Sequence, residues 1–262
     1  MTIAKDQLPQ SQPETAPKVV PDPTSAFPPD IVFPPSDIYS DEPPLETELH
    51  LRQLILLLSC LDWHWRNRND YFAVGNLTIY YSPKQRKSED FRGPDFFVVL
   101  DTERKSRKSW VVWEEEGKYP NVIIEVLSDS TAETDRGLKK QIYQDTFRTP
   151  EYFWFDPNSL EFAGFALVQG EYQPMQLNER GQFWSLQLQL FLGIEDRQLR
   201  FFTSEGEMVP TPEEAALTEQ QRAAKAEQRA AIEAEQRTAA EQRATEAEAL
   251  LAQYRERFGE LG

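Results

Sequence analysis

Two short apolar stretches decide the fold, and each of them carries one carboxylate. Residues 93–101 read Gly-Pro-Asp-Phe-Phe-Val-Val-Leu-Asp, and residues 121–128 read Asn-Val-Ile-Ile-Glu-Val-Leu-Ser. Runs of this length, rich in β-branched and aromatic residues, are typical of strands that are buried on both faces. Asp95 opens the first predicted strand, and Glu125 lies inside the second. If the two strands are neighbours in one sheet, their carboxylates converge.

A carboxylate inside a buried strand needs compensation, because an unpaired buried charge is costly. For Glu125 the alternatives are a divalent cation shared with Asp95 and a buried salt bridge to Lys139 or Arg136. For Asp95 the alternative is a turn-capping aspartate after Gly-Pro. The chain has two histidines and one cysteine, too few for a structural zinc site. We therefore predict that Asp95 and Glu125 bind Mg²⁺ or Mn²⁺, since hard cations prefer oxygen ligands.

A helix is predicted to follow the second strand. Ser130 and Glu133 match a capping box, in which the first residue caps the helix and the fourth reaches back to it. The helical pattern continues to about Phe147 and stops before Pro150, because the residue preceding a proline avoids helical geometry. We expect the next strand at residues 152–155.

Lys139 is the candidate cation of the site. Leu138 and Ile142 mark the side of the helix that we expect to pack on the sheet, which leaves Lys139 at its edge and able to reach the carboxylates. The alternative is a surface lysine that pairs with Asp135, four residues earlier.

The segment from Leu45 to Arg68 is predicted to be a helix, because its apolar residues recur at helical spacing. They are Leu49, Leu51, Leu54, Ile55, Leu57, Leu58, Leu61 and Trp65. Glu46, Glu48 and His50 are polar residues of its first turns, and any of them could contribute to the metal site. A strand with a break at residues 75–76, a hairpin at 110–113 and a small antiparallel extension at 160–204 complete the expected elements.

The chain divides by composition into three parts. Residues 1–44 contain eleven of the nineteen prolines, and we expect a disordered arm there. Residues 45–209 form the predicted globular domain. Residues 213–262 are rich in Ala, Glu, Gln and Arg, which predicts one long helix. Its apolar residues concentrate near the end, so self-association into a homodimer and a solvated single helix both remain open.

Charge and length exclude several classes of protein. The formal net charge is −16, which argues against a protein that coats DNA nonspecifically. No apolar run reaches the ~18 residues needed to span a bilayer, and one cysteine suits a reducing compartment, so we expect a cytoplasmic protein. The basic residues 104–108, with Trp110 and Trp113 nearby, could contact DNA phosphates or could form a solvated loop.

The ordered motifs resemble the Uma-type restriction endonucleases of the PD-(D/E)XK nuclease-like superfamily. The resemblance covers about residues 45–200 and rests on Pro-Asp at 94–95, Ile-Glu-Val at 124–126, Ser128-x-Ser-Thr131, Asp-Arg-Gly-x-Lys at 135–139 with Tyr143, and Pro-Glu-Tyr-Phe-Trp-Phe-Asp-Pro at 150–157. It implies an α+β restriction-endonuclease-like core, with a mixed sheet flanked by helices. Leu127 occupies the position of the superfamily's usual lysine, and Lys139 on the next helix takes that role in Uma-like sequences.

The resemblance implies a Mg²⁺-dependent DNA endonuclease. Asp95 and Glu125 would hold the metal, and Lys139 would orient or deprotonate the attacking water and balance charge. The alternative is a catalytically inactive scaffold that keeps the nuclease fold and acts through its long C-terminal helix. The acidic net charge and the displaced lysine favour this alternative.

Overall fold

The structure, a computed structural model of the 262-residue chain, describes residues 47–82, 91–128 and 135–259. Three expectations lie outside these residues: the proline-rich stretch 1–44, the capping box of Ser130 and Glu133, and any role of Glu46. The described part contains three helical segments. They are α1 (Glu48–His64), α2 (residues 135–147) and α3 (Pro212–Phe258).

Twelve strands lie in the described part of the chain. They are, in chain order, β1 (Tyr71–Gly75), β2 (Ile79–Tyr80), β3 (Phe91–Arg92), β4 (Phe96–Leu100), β5 (Trp110–Val111), β6 (Val122–Val126), β7 (Glu151–Phe155), β8 (Phe162–Val168), β9 (Glu171–Pro174), β10 (Phe183–Ser185), β11 (Leu190–Glu195) and β12 (Gln198–Phe202). The break predicted at residues 75–76 is confirmed, because the backbone of Asn76 turns with φ 50° between β1 and β2.

A six-stranded mixed sheet forms the centre, in the order β1-β4-β6-β7-β8-β9. Strands β6 and β7 run parallel, and the other neighbouring pairs are antiparallel. Every residue of β6 and β7 is buried, so the prediction of a central strand covered on both faces is confirmed. The expected class, a mixed sheet flanked by helices, is confirmed as well.

Each face of this sheet has its own hydrophobic layer. Leu54, Leu57 and Leu61 of α1 pack with the β10–β12 sheet against one face. Tyr143 and Phe147 of α2 pack against the other. Because successive strand residues point to opposite faces, Ile124 contributes to the α1 layer, and its neighbours Ile123 and Glu125 point towards α2.

The predicted apolar face of α1 is partly wrong. Leu49, Leu51 and Ile55 are exposed, whereas His50 and Gln53 are buried. The amide of Gln53 makes two hydrogen bonds with the backbone of Leu199, at 2.9 and 3.0 Å, and so joins α1 to β12. These polar partners allow Gln53 to be buried, although the hydropathy pattern predicts that it faces solvent.

The predicted packing side of α2 is partly wrong, since Ile142 packs against the core but Leu138 does not. Leu138 is 56% exposed, while Asp135, Tyr143 and Phe147 are buried. The segment consists of π-helical turns at Asp135–Lys139 and Tyr143–Phe147 that flank a short α-helical stretch. A π-turn is wider than an α-turn, so residues four apart lie nearly in line, and the line through Asp135, Lys139 and Tyr143 faces the sheet.

Two strand predictions need correction. Residues 110–113 form no hairpin, since β5 pairs in parallel with β2, and the ring of Trp110 is fully buried and stacks on Phe72. The antiparallel segment after residue 160 divides in two: β8 and β9 extend the central sheet, whereas β10–β12 form a separate sheet over α1.

The long C-terminal helix is confirmed as α3. Thr211 and Glu214 form a capping box at its start, and Arg200 of β12 forms a 2.6 Å ion pair with Glu214. Residues 216–257 are exposed apart from the half-buried Ala239.

Candidate active site

The antiparallel pairing of β4 with β6 brings Asp95 and Glu125 together. The register pairs Phe96 with Ile124. Because the strands are antiparallel, Asp95, which precedes Phe96, lies next to Glu125, which follows Ile124. The backbone N–H of Asp95 donates to Oε2 of Glu125 at 3.1 Å, and the N–H of Val126 donates to Oδ2 of Asp95 at 2.8 Å. The two carboxylates therefore meet at the end of β4, between α1 and α2.

Glu125 is fully buried and accepts hydrogen bonds from three donors. Besides the Asp95 N–H, the Tyr143 hydroxyl donates to Oε1 at 2.7 Å, and Nζ of Lys139 lies 3.2 Å from Oε2. Two of these donors come from α2, so the packing of α2 on β6 fixes the carboxylate. The buried salt bridge to Lys139, one alternative for Glu125, is present, whereas Arg136 instead pairs with Glu161.

Asp135 is a buried acid of the site that the sequence presented only as a surface partner of Lys139. It is fully buried, and its Oδ1 lies 2.8 Å from Nζ of Lys139. The hydroxyl of Tyr152, on β7, donates to the main-chain oxygen of Asp135 at 2.8 Å and so ties the π-turn to the sheet. The i, i+4 spacing of Asp135 and Lys139 was visible in the sequence, but its burial was not.

His50 reaches the site from the first turn of α1. Its Nε2 lies 3.3 Å from Oδ1 of Asp95, and the imidazole is 7% exposed. Neither ring nitrogen has a hydrogen-bond partner among the described residues. Glu48, from the same turn, is exposed and pairs with Arg52 at 2.7 Å. Of the two described candidates on this helix, the structure brings only His50 to the acids.

The charges of the site do not balance. Asp95, Glu125 and Asp135 are three acids, and among the residues that the structure describes Lys139 is the one cation that forms ion pairs with Glu125 and Asp135. Burial raises the pKa of Glu125 well above its usual range against the opposing effect of Lys139, and the nearby Asp95 and Asp135 raise it further. Burial would lower the pKa of Lys139, but the surrounding carboxylates raise it instead. The neighbouring carboxylates contribute to both shifts, because negative charge nearby disfavours an ionised acid and favours a charged ammonium.

Asp95 differs from Glu125 in the direction of its pKa shift. Burial on its own raises the pKa of Asp95, but the His50 side chain, the Lys139 ammonium and the Val126 N–H together lower it. Asp95 is therefore the carboxylate that carries a charge at neutral pH, beside a glutamate that resists ionisation.

The donor set fits a hard divalent cation. No group of three or more His, Cys, Asp and Glu side chains forms a ready-made metal cage in the described ranges. Magnesium is commonly held by one or two carboxylates together with waters and substrate phosphates. Asp95 and Glu125 supply such a pair, and a divalent ion would offset the excess negative charge.

The basic residues 104–108 are largely engaged within the molecule. Arg107 forms an ion pair with Glu115, stacks over Trp110 and is 4% exposed. Arg104 pairs with Asp62 at 2.8 Å. The contacts of Arg107 make it unavailable to phosphates and weaken the prediction of a DNA-binding loop.

A solved structure shows a low similarity to this chain. A crystal structure described as a putative nuclease belonging to DUF820, from Anabaena variabilis ATCC 29413, is similar with a TM-score of 0.43 and 14% identity, over 60% of this chain and 83% of that one. No protein with a curated description matches. In the described ranges no helix combines the length and the apolar character that crossing a membrane requires.

The sequence was also compared with known families. Residues 37–217 match Uma2, which is described as "Putative restriction endonuclease". The match covers more than half of the 262 residues and includes all four acidic and basic side chains of the site. The chain therefore belongs to the Uma2 family of restriction-endonuclease-like proteins.

Proposed function

We propose that this protein is a Mg²⁺- or Mn²⁺-dependent endonuclease that hydrolyses DNA phosphodiester bonds at Asp95, Glu125 and Lys139. The observation that carries the proposal is a cluster of three carboxylates, in which the fully buried Glu125 and Asp135 form ion pairs with the ammonium group of Lys139 and the partly buried Asp95 adjoins them. A buried charge imbalance costs stability, and such imbalances are typically retained at functional sites. Membership of the family supports the substrate class.

Asp95 and Glu125 would hold the ion. When bound, Mg²⁺ or Mn²⁺ acts as a Lewis acid on the phosphate and lowers the pKa of a bound water. The Tyr143 hydroxyl and the Asp95 N–H hold the Glu125 carboxylate in one orientation. Glu125 must lose its proton to bind the cation, because its raised pKa favours the neutral acid when no cation is bound.

Lys139 would stay protonated, since the neighbouring carboxylates raise its pKa. A charged ammonium donates hydrogen bonds and offsets negative charge at the phosphate, but it cannot accept a proton. The proposed role of Lys139 is therefore to orient the water or phosphate oxygen and to stabilise charge. Asp135, 2.8 Å from its Nζ, keeps the long side chain directed into the site.

Cleavage of supercoiled plasmid DNA in the presence of Mg²⁺ or Mn²⁺ tests the proposal. We expect Asp95→Asn and Glu125→Gln to abolish cleavage, and Lys139→Met to reduce it by about 10²-fold or more. Lys140→Met is the matched control for the lysine, and Glu151→Gln, a buried acid that bonds to Ser185 away from the site, is the control for the acids. Failure of the wild-type protein to cut DNA with either ion, or cleavage by the two acid variants, would overturn the proposal.

The exposed end of α3 favours a second function, as an interaction segment. Leu250, Leu251 and Tyr254 are 53–63% exposed on adjacent turns of the helix. Clustered exposed apolar side chains are typical of a contact surface, and we propose a homodimer through this end. Light scattering of the full chain should give a dimer mass, and Leu250→Glu combined with Leu251→Glu should give a monomer. A monomeric wild-type protein at ~100 μM, well above a micromolar dissociation constant, would exclude the dimer.

A further inference from the structure

The imidazole of His50 is buried at the candidate active site without the hydrogen bonds that a structural histidine makes. Its side chain is 7% exposed, and neither Nδ1 nor Nε2 makes a hydrogen bond with another described residue. Buried polar groups are nearly always hydrogen-bonded, so an exception needs an explanation. A purely structural role would align at least one ring nitrogen in a hydrogen bond, whereas the contact of Nε2 with Oδ1 of Asp95 lacks that alignment.

The geometry of His50 and Asp95 suggests that explanation. Nε2 of His50 and Oδ1 of Asp95 lie 3.3 Å apart, yet Nε2 makes no aligned hydrogen bond. Two ligands at right angles on one ion, with bonds of 2.0–2.2 Å, are separated by about 3 Å. The two atoms lie side by side, as two ligands of one cation do.

We propose that His50 is a nitrogen ligand of the cation held by Asp95 and Glu125, and that the site consequently prefers Mn²⁺ to Mg²⁺. The inference rests on the proposed function, because it concerns the same cation. Imidazole is a good ligand for first-row transition metals, whereas Mg²⁺ favours oxygen. One nitrogen with two carboxylates therefore favours Mn²⁺ and still admits Mg²⁺ at lower affinity.

The position of His50 in α1 supports a fixed ligand. Its backbone N–H donates to the side chain of the N-cap Thr47 at 3.1 Å, and the same helix packs through Leu54 and Leu57 on the central sheet. The imidazole is therefore carried by a rigid element at a set distance from Asp95. Ligands on rigid elements lose little freedom when they bind an ion.

Pulsed electron paramagnetic resonance of bound Mn²⁺ tests the ligand directly, without any measurement of cleavage. The chain has two histidines, His50 and the exposed His64. In a His64→Ala protein grown with ¹⁵N-labelled histidine, His50 is the only labelled residue. We expect a ¹⁵N coupling to Mn²⁺ in this protein and its loss in the His64→Ala, His50→Gln double variant.

Metal affinities give a second readout by calorimetry. His50→Gln should reduce the ratio of Mn²⁺ to Mg²⁺ affinity by about tenfold or more, whereas Glu48→Gln, from the same helical turn, should leave the ratio unchanged. Circular dichroism of each variant reports whether it is folded. The labelled His64→Ala protein keeps His50 and tests the ligand even if His50→Gln does not fold.

The outcomes separate this inference from the proposed function. If Glu125→Gln abolishes Mn²⁺ binding but the wild-type site shows no histidine coupling, the ion is at the acids without His50, and only the inference fails. If Glu125→Gln leaves Mn²⁺ binding intact, the ion lies elsewhere, and both proposals fail.

Discussion

Replacement of Glu125 by glutamine should stabilise the protein in the absence of metal. The carboxylate is fully buried, with two other acids nearby and one ammonium at 3.2 Å. Glutamine has nearly the same shape. Its Oε1 can accept from the Asp95 N–H and from Lys139, and its Nε2 can donate to the hydroxyl oxygen of Tyr143. Lys139 keeps its ion pair with Asp135, so the substitution leaves no unpaired buried charge.

The magnitude follows from opposing electrostatic effects. Two unit charges 3.2 Å apart attract by about 5 kcal/mol at an effective dielectric constant of ~20. The desolvation of Glu125 and its repulsion by Asp95 and Asp135 exceed this attraction, which is why its pKa is raised. Replacement of buried charged groups by neutral ones of similar shape often stabilises by 1–4 kcal/mol. We expect a gain of about 1–3 kcal/mol, or about 3–10 °C in Tm.

The gain should depend on pH. Since the folded-state pKa of Glu125 lies above its unfolded value, the folded protein binds the extra proton, and this stabilisation is complete below the unfolded pKa, about 4.3. It is lost as pH rises through the folded pKa. The difference between the variant and the wild type should therefore be small near pH 4 and large at pH 8.

Thermal unfolding followed by circular dichroism, in EDTA at pH 5 and pH 8, measures this effect. Asp156→Asn is a control of opposite sign, because donors from Asn158 and Ser159 lower the pKa of Asp156. Loss of the Asp156 carboxylate should therefore slightly destabilise the protein at pH 8. A Glu125→Gln protein no more stable than the wild type at pH 8 would refute the reasoning, since Glu125 would then be adequately compensated by Lys139 alone.

Three further substitutions test the scaffold by urea denaturation. Gln53→Ala should cost about 2–3 kcal/mol, because it leaves both backbone groups of Leu199 unpaired in a buried position, and a cost below ~0.5 kcal/mol would contradict this. Gly164→Ala should cost about 1–3 kcal/mol, since its Cβ would lie 2.8 Å from a phenylalanine ring; Gly137→Ala, where a Cβ meets nothing within 4 Å, is the control and should cost nothing. Thr211→Ala should lose about 0.5–2 kcal/mol by removing the capping box of α3, and equal helix content and stability in the two proteins would argue against that cap.

The sequence predicted the acid pair because its strands carry a strong signal. In β4 and β6 the apolar run is continuous, so a carboxylate at Asp95 or Glu125 is conspicuous. β4 and β6 are paired neighbours in the central sheet, which brings the two acids together. The long helix α3 was equally clear, since no proline or glycine interrupts its helix-forming residues between 213 and 258.

The remaining site residues could not be predicted from hydropathy. Asp135 has the sequence context of a surface residue, and its burial depends on a π-turn that a period of 3.6 residues does not anticipate. His50 occupies a position that appears polar and solvent-facing, and only the packing of α1 beside the end of β4 buries it. In both cases tertiary contacts override the local pattern.

The length of α3 has a geometric consequence. A helix of 47 residues with a rise of 1.5 Å per residue extends about 70 Å. Its first turn is fastened to β12 by the Arg200–Glu214 ion pair, and Tyr254, 40 residues beyond Glu214, lies about 60 Å along the helix from this anchor. At 3.4 Å per base pair, this span equals about eighteen base pairs of B-form DNA, so α3 sets the separation between the globular domain and whatever its distal end binds.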